Sequence, residues 1–112
     1  MKTLFILNDA PYGSERPYKA LRLAGSLGKI AGEQVKVFLI GDGVACAKRG
    51  QKVAEGFDNI EVMLGRVARS EAEIGVCGTC TDARGIGEAE LTEGSRGSTL
   101  SELTAWTQWQ AR

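Results

Sequence analysis

Histidine is absent from this sequence of 112 residues, and its absence removes whole classes of chemistry. Hydrolytic schemes in which a histidine activates a serine or a cysteine are excluded. A zinc site would have to be built from thiolates and carboxylates alone. Any nucleophile in the protein must therefore be activated by other groups, such as backbone amides or nearby cations.

A net charge is also lacking, because 14 lysine and arginine residues balance 14 aspartate and glutamate residues. The basic residues are scattered along the chain and form no cluster. No field of one sign therefore attracts nucleic acid or an anionic membrane surface. We expect neither nucleic acid nor a membrane as a partner.

Long apolar runs are missing as well. The first run, residues 4–7, is far too short for a signal peptide or a membrane span, and no longer run follows it. The three cysteines are an odd number, which cannot form a fully paired disulfide framework within one chain. These features predict a cytoplasmic protein, and the length fits a single domain over residues 1–112.

The apolar residues that are present form short runs along the chain. Such runs are typical of strands that are covered on both faces of a parallel sheet. The sequence predicts strands at residues 4–7, 35–40 and 74–77, with a weaker fourth candidate at residues 91–96.

Helix signals separate these runs. Ser14 can cap a first helix that has Pro17 in its first turn and Gly32 at its end. The apolar stripe of this helix is predicted to consist of Ala20, Leu23, Ala24, Leu27 and Ala31. A short helix through Cys46, ending near Gly50, is predicted after the second strand.

Two capping boxes mark the later helices. The pattern Asp58-x-x-Glu61 predicts the start of a helix after the second strand. Its apolar stripe is predicted to consist of Ile60, Met63, Leu64 and Val67. The pattern Thr99-x-x-Glu102 opens the last helix, which continues through Trp106.

The alternation of buried strands and capped helices predicts an α/β fold, with a central parallel sheet and helices on both of its faces. Ligands and chemistry in such folds gather at the carboxyl ends of the strands. Three segments are expected there: residues 8–13, 41–46 and 77–84. Because two of these segments carry all three cysteines, the topology favours a thiol site at this end of the sheet.

The most informative stretch contains Cys77 and Cys80, two thiols three residues apart at the end of the third predicted strand. Residues 82–84 are predicted to form the first turn of a short helix, which Gly85 ends. The first amides of a helix carry partial positive charge, and they stabilise a thiolate over a thiol. With Arg84 nearby, this stretch predicts reactive cysteines.

At this point the sequence resembles a known family, the DsrE/DsrF-like proteins. The resemblance is carried by residues 8–16 (NDAPYGSER), 41–47 (GDGVACA), 76–85 (VCGTCTDARG) and 103–106 (LTAW). It extends over nearly the whole chain, and the segment around Cys77 is its most specific part. The resemblance implies a flavodoxin-like α/β sandwich with three layers. It also implies a protein that is usually oligomeric, often a trimer or a hexamer.

The resemblance further implies a chemistry. Better-studied members carry sulfur as a persulfide on a cysteine at the end of the third strand, and Cys77 matches that position. Members typically finish with another short apolar strand after the last helix, whereas this sequence ends at residues 110–112. We therefore expect an unpaired sheet edge that is covered in a homo-oligomer, with a trimer or hexamer favoured.

These arguments give each thiol a predicted role. Cys77 is the candidate nucleophile or sulfur acceptor, and Cys80 is a candidate resolving thiol that forms a disulfide with it. Arg84 is a candidate for holding the thiolate or an anionic sulfur donor, with a solvated surface arginine as the alternative. Inert packing of both thiols is the corresponding alternative for the pair.

Further candidate residues for substrate or partner binding lie in the other strand-end segments. In the first segment they are Asp9, Tyr12, Glu15 and Arg16, of which the last two are otherwise ordinary first-turn helix residues. In the second segment the candidate is Cys46, whose apolar surroundings favour a packed small residue. No cofactor is expected.

Three functions from different classes remain open. The first is a sulfur-relay protein, an enzyme or carrier that exchanges persulfide sulfur with donor and acceptor proteins through Cys77. The second is a non-catalytic oligomeric module that binds a small ligand or a partner. The third is a metal or redox sensor, although a metal site would need Cys46 as a third thiolate and Asp82 or a neighbouring subunit as a fourth ligand. No resident metal is therefore predicted.

Overall fold

The computed structural model describes residues 1–111 and places four strands and four helices along them. The strands are β1 (Lys2–Leu7), β2 (Gln34–Leu39), β3 (Glu73–Cys77) and β4 (Ser95–Ser98). The helices are α1 (Arg16–Leu27), α2 (Ile60–Arg69), α3 (Gly78–Ala83) and α4 (Leu100–Ala111). Two 3₁₀ segments cover Gly41–Ala47 and Glu88–Glu90. Within residues 1–111, each helix is too short or too polar to cross a membrane.

All four strands run parallel, in the order β1-β2-β3-β4. The register places Ile6 beside Phe38, Phe38 beside Gly75, and Gly75 beside Arg96. Partners in such a register lie on the same face of the sheet, because side chains alternate between the faces along each strand. The parallel sheet predicted from the buried apolar runs is confirmed.

The helices cover both faces of this sheet. On one face Trp106 of α4 packs against Phe38 and over Gly75. Val37 and Leu39 alternate with Phe38, so they point to the opposite face, where α1 and α2 pack against each other. Both side chains are fully buried there. The predicted flavodoxin-like α/β sandwich with three layers is therefore confirmed.

The 3₁₀ segment Gly41–Ala47 crosses the carboxyl end of the sheet. Its close fit depends on Gly43, where an added Cβ would come within 2.2 Å of the Leu7 carbonyl oxygen at the end of β1. Val44 and Ala47 of the same segment are fully buried. The segment replaces the helix through Cys46 that the sequence predicts, and it ends before Gly50.

The first helix differs from its prediction at both ends. It ends at Leu27, five residues before Gly32, and its N-cap residue is Glu15 and not Ser14, although the Ser14 hydroxyl accepts a hydrogen bond from the Arg16 amide at 3.2 Å. Its buried side is also rotated relative to the predicted stripe, since Leu21 is buried and Leu23 is 53% exposed.

The later elements agree more closely. The buried residues of α2 are those predicted, but its cap is Asn59, whose side-chain oxygen accepts from the Val62 amide at 3.2 Å, and not Asp58. Thr99 caps α4 as predicted, with its hydroxyl accepting from the Glu102 amide at 3.1 Å. The fourth strand begins only at Ser95, after the segment in which the sequence predicts most of it.

Candidate functional site

The two thiols that the sequence predicts lie where β3 joins α3. Cys77 ends the strand and is the N-cap residue of the helix, which begins at Gly78. The predicted helix start at residues 82–84 is wrong, because Asp82 lies in the last turn of α3. Glycine and threonine are poor helix formers, so the first turn of α3 has no clear sequence signal. Because the helix begins at Gly78, its first amides lie directly beside Cys77.

The surroundings of Cys77 favour its thiolate. Burial on its own would raise the pKa of this thiol, since the residue is only 6% exposed. Hydrogen bonds from the side chains of Cys80 and Thr79, followed by the backbone amides of the same two residues, outweigh burial and lower the pKa below its ordinary value. The Thr79 hydroxyl lies 3.3 Å from the Cys77 sulfur. Cys77 is therefore a thiolate over a wider pH range than a free cysteine.

Cys80 is the proton-carrying member of the pair. Its hydrogen bond to Cys77 and its burial raise its pKa, while the Gly41 amide and the charge of Arg84 act in the opposite direction. The Gly41 amide donates to the Cys80 sulfur at 3.2 Å. Of the two thiols, Cys77 therefore loses its proton first as the pH rises, while the half-buried Cys80 keeps its proton to higher pH.

Arg84 reaches this site from the end of α3. Its Nη2 lies 2.7 Å from Asp42 Oδ1, and its Nη1 donates to the Cys80 carbonyl oxygen at 3.0 Å. The guanidinium group is thus held by contacts on both sides. It is not the freely solvated surface arginine that was the alternative interpretation of the sequence. Its positive charge acts on the thiol of Cys80 without a direct hydrogen bond to the sulfur.

Cys46 lies apart from the pair. Its side chain is fully buried, and its thiol donates to the Asp9 carbonyl oxygen at 3.7 Å. Burial, with a smaller contribution from the charge of Asp9, raises the pKa of Cys46 to about 12. The thiol therefore stays protonated and offers no surface to a ligand. Cys46 is thus a packed small residue, as its apolar surroundings in the sequence favour.

The loop after β1 forms its own network. The Asp9 carboxylate accepts from the Ser14 hydroxyl at 2.9 Å and lies 3.6 Å from Arg16 Nη1. The hydroxyl of Tyr12 accepts a hydrogen bond from the Ile60 amide at 3.1 Å and donates one to the side-chain oxygen of Gln51. These contacts fasten the loop to the start of α2.

Tyr12 and Glu15 also line a cleft of about 560 Å³ beside the starts of α1 and α2. Tyr18 and the 74% exposed Phe57 contribute to its mostly apolar wall. The structure thus places the predicted site residues in two groups. Cys77, Cys80 and Arg84 form the thiol site, whereas Asp9, Tyr12, Glu15, Arg16 and Cys46 belong to the β1 loop and its neighbours.

Three groups of the thiol site were missed by reasoning from the sequence: the Thr79 hydroxyl, the Gly41 amide and the Asp42 carboxylate. Thr79 follows Cys77 by two residues, so its position in the first turn of a helix is a usable signal once that helix is placed correctly. Asp42 is 42 residues from Arg84 in sequence, and only the packing of β2 beside β3 brings the two together.

Candidate metal ligands do not gather in the described part of the chain. Within residues 1–111, no three side chains of histidine, cysteine, aspartate or glutamate are placed to hold a metal ion together.

Fold and site together define a class of protein. It is a flavodoxin-like α/β sandwich with a pair of neighbouring cysteines at the carboxyl end of its third strand. The member of the pair with the lowered pKa, Cys77, is the N-cap residue of the helix that follows the strand directly.

Comparison with known proteins identifies the family. The model of the DsrE/DsrF-like family matches residues 1–112, and the chain belongs to this family. It is 40% identical over 107 residues to the protein YchN of Escherichia coli strain K12, covering 95% of this chain and 91% of YchN. It is also 40% identical over 103 residues to the uncharacterized protein MK0008 of Methanopyrus kandleri, covering 92% of this chain and 84% of that protein.

Solved structures agree with this assignment. The crystal structure of the YchN protein from E. coli superposes with a TM-score of 0.88 at 39% identity, covering 96% of this chain and 93% of that one. The structure of MTH1491 from Methanobacterium thermoautotrophicum, a protein of unknown function, gives a TM-score of 0.74 at 12% identity, covering 96% and 92%. At that identity the second likeness concerns the fold alone.

Proposed function

We propose that this protein is a sulfur-relay protein, which accepts persulfide sulfur on Cys77 and passes it on. The observation that supports this most directly is the charge arrangement at the end of β3. There a thiolate on Cys77 is stabilised by the side chains of Thr79 and Cys80 and by the first amides of α3. Membership of the DsrE/DsrF-like family, which is of the sulfur-relay type, supports the same reading.

The loading step is a simple exchange between sulfur atoms. The Cys77 thiolate attacks the outer sulfur of a donor persulfide, forming a new bond between Cys77 Sγ and that sulfur. The bond between the donor's two sulfur atoms breaks, and the donor leaves as a thiolate. Cys77 gains a persulfide with no net oxidation. Because the attacked sulfur is a soft electrophile, a thiolate of lowered pKa suffices and no strong base is needed.

Unloading has two balanced routes. In the relay route, the thiolate of an acceptor protein attacks the outer sulfur, and Cys77 leaves as a thiolate. In the resolving route, the Cys80 thiolate attacks Cys77 Sγ, so that a Cys77–Cys80 disulfide forms and the outer sulfur leaves as hydrosulfide with the electron pair of the broken bond. A low-molecular-weight thiol of the reducing compartment then reopens the disulfide by thiol–disulfide exchange.

Access to Cys77 limits which donors can react. Only 6% of the residue is exposed, so an attacking or attacked group must be slender at its reacting end. A terminal persulfide sulfur meets that requirement because it carries no substituent other than a proton. A bulky disulfide partner does not, and we therefore expect persulfide donors to be preferred over mixed disulfides.

Mass spectrometry of the intact protein tests this proposal. After incubation with a persulfide donor, we expect wild type and Cys46→Ser to gain sulfur, and Cys77→Ser to gain none. Cys80→Ser should retain its persulfide longer, because the resolving route is closed. Cys77→Ser that loads as well as wild type would show that the assignment is wrong. Cys46→Ser serves as the matched control, since its thiol is fully buried.

We further propose that the protein acts as a cytoplasmic homo-oligomer, a trimer or a hexamer. Within residues 1–111, β1 and β4 are edge strands of the sheet. Ile6 of β1 is 43% exposed on the face that α4 covers in part, and exposed edges and apolar residues of this kind are normally covered. Light scattering at roughly ten to fifty micromolar should give the mass of a trimer or hexamer. A monomer mass would contradict this.

A second candidate function is favoured by the apolar cleft beside Tyr12 and Phe57. In that case the protein is a non-catalytic module that binds a partner or a small apolar ligand there. A single variant distinguishes the two functions, because Phe57→Ser would abolish binding in the cleft and leave sulfur loading on Cys77 unchanged.

A further inference from the structure

We propose that Asp42 and Arg84 are positioning residues for Cys80, which hold the Gly41 amide against the Cys80 sulfur and so prepare Cys80 to attack once Cys77 carries sulfur. This inference rests on the proposed function, because it assigns a role in the resolving route to two residues outside the thiol pair. It concerns Cys80 and not the loading of Cys77.

The geometry that supports it is a closed set of contacts between two segments. The Gly41 amide donates to the Cys80 sulfur at 3.2 Å. The next residue, Asp42, accepts from Arg84 at 2.7 Å through Nη2 and at 3.3 Å through Nε. Arg84 in turn donates to the Cys80 carbonyl oxygen at 3.0 Å. Arg84 thus connects the start of the 3₁₀ segment with Cys80, whose sulfur accepts from the first amide of that segment.

The arrangement has a consequence when Cys77 reacts. The titratable or charged groups that act on Cys80 are Cys77 from the end of β3 and Arg84 from α3, and Arg84 is in turn paired with Asp42 of the 3₁₀ segment. In the resting protein the largest influence on Cys80 is its hydrogen bond to Cys77, which keeps the proton on Cys80. Once the Cys77 sulfur is bonded to a second sulfur, in the protonated persulfide from which hydrosulfide can leave, Sγ carries no thiolate charge and no longer holds the proton on Cys80.

Of the influences that remain, burial still raises the pKa of Cys80, and two others lower it. They are the Gly41 amide, which donates directly to the sulfur, and the positive charge of Arg84. Cys80 can then release its proton to solvent and attack Cys77 Sγ. The bond between the two cysteine sulfurs forms as the bond to the outer sulfur breaks, and the outer sulfur leaves as hydrosulfide with the electron pair. Sulfur uptake by one cysteine thereby activates the other.

The test needs no sulfur donor. In the Cys77→Ser variant the thiolate on Cys77 Sγ is absent, as it is once that sulfur is bonded to a second one, and alkylation of Cys80 by iodoacetamide is followed from pH 5 to pH 10 by mass spectrometry. We expect the midpoint for Cys80 to lie below that in wild type. Adding Asp42→Ala or Arg84→Lys should each lower the rate at pH 7 by about 3- to 10-fold, as expected for a lost amide hydrogen bond.

Arg84→Lys keeps the positive charge and loses the fork that contacts both Asp42 and the Cys80 carbonyl, so it separates positioning from charge alone. Arg96→Gln, which breaks the ion pair with Glu102 at 2.6 Å, is the matched control and should leave the Cys80 profile unchanged. Thermal melting confirms that each variant is folded. If Asp42→Ala and Arg84→Lys both keep the parent profile, the proposal is overturned, whatever the sulfur-loading experiment shows.

Discussion

Phe38 and Trp106 meet edge to face, with ring centroids 5.9 Å apart and ring planes at 88°. This contact fastens α4 to the centre of the sheet, since Phe38 is fully buried on β2 and Trp106 is 4% exposed. The indole also covers Gly75 of β3, where an added Cβ would lie 3.1 Å from the ring. The helix is thus anchored across both central strands.

Replacing this anchor should be costly. We expect Trp106→Ala to lower the free energy of unfolding by about 3–5 kcal/mol, because it removes a large buried side chain and leaves a cavity. Trp109→Ala is the control, since Trp109 is only half-buried. Its ring contacts the Lys36 ammonium group, whose nitrogen lies 4.5 Å from the ring centroid. Urea unfolding followed by circular dichroism measures both. Equal losses in the two variants would contradict the anchoring role.

The close approach of the 3₁₀ segment to β1 gives a second prediction. Gly43→Ala should destabilise the protein by about 1–3 kcal/mol, because the new methyl group would meet the Leu7 carbonyl oxygen and the backbone would have to shift. Gly25→Ala in α1 has no atom within 4 Å of the new Cβ and should be neutral or stabilising. Melting temperatures that move in the same direction for both would argue against this explanation.

The cap of α2 is a third target. We expect Asn59→Ala to cost about 1 kcal/mol, with an added loss from its side-chain bond to the Gln51 carbonyl oxygen at 3.0 Å. Asn59→Asp keeps the oxygen that accepts from the Val62 amide and should recover most of the cap. Asp58→Ala should change the unfolding midpoint little. A larger loss for Asp58→Ala than for Asn59→Ala would restore the capping box predicted from the sequence.

Cys46 makes stability depend on pH in the alkaline range. Its thiol keeps its proton up to about pH 12 in the folded state, whereas an unfolded thiol loses it near 9.0. The unfolded state therefore releases a proton that the folded state holds, and stability is lost as pH rises from 9 towards 12. The loss amounts to about 1.4 kcal/mol per pH unit at most.

The measurement compares wild type with Cys46→Ala, so that the titration of other groups cancels. Between pH 8 and pH 10.5 the stability advantage of wild type should shrink by about 2 kcal/mol. Urea unfolding at each pH gives the two curves. Parallel curves would show that the Cys46 thiol is not protected by burial.

The sequence predicts best what depends on neighbouring residues. The parallel strands follow from local apolar runs, and Cys77 and Cys80 are found by their spacing alone. The stripe of α1 is predicted incorrectly because the helix offers leucines on two sides. Burial of Leu21 and exposure of Leu23 depend on how the helix is rotated against α2 and the sheet, and no local pattern specifies that rotation.

The same distinction between local and long-range contacts applies to the thiol site. Its two cysteines and Arg84 lie in one short segment, and their proximity is local. Its contact with the 3₁₀ segment is not, because Gly41 and Cys80 are 39 residues apart and meet only after β2 and β3 pair. A contact of this kind leaves no periodic signal in either segment.

The strand order has a consequence for how the protein is made. Every strand pairs with the strand before it in the chain, so a nascent polypeptide can add each new strand to a sheet that is already present. The segments that build the thiol site, up to Arg84, leave the ribosome before α4 does. Phe38 therefore lacks its covering tryptophan until α4 has been made, and this helix must return to β1 before that side of the sheet is closed.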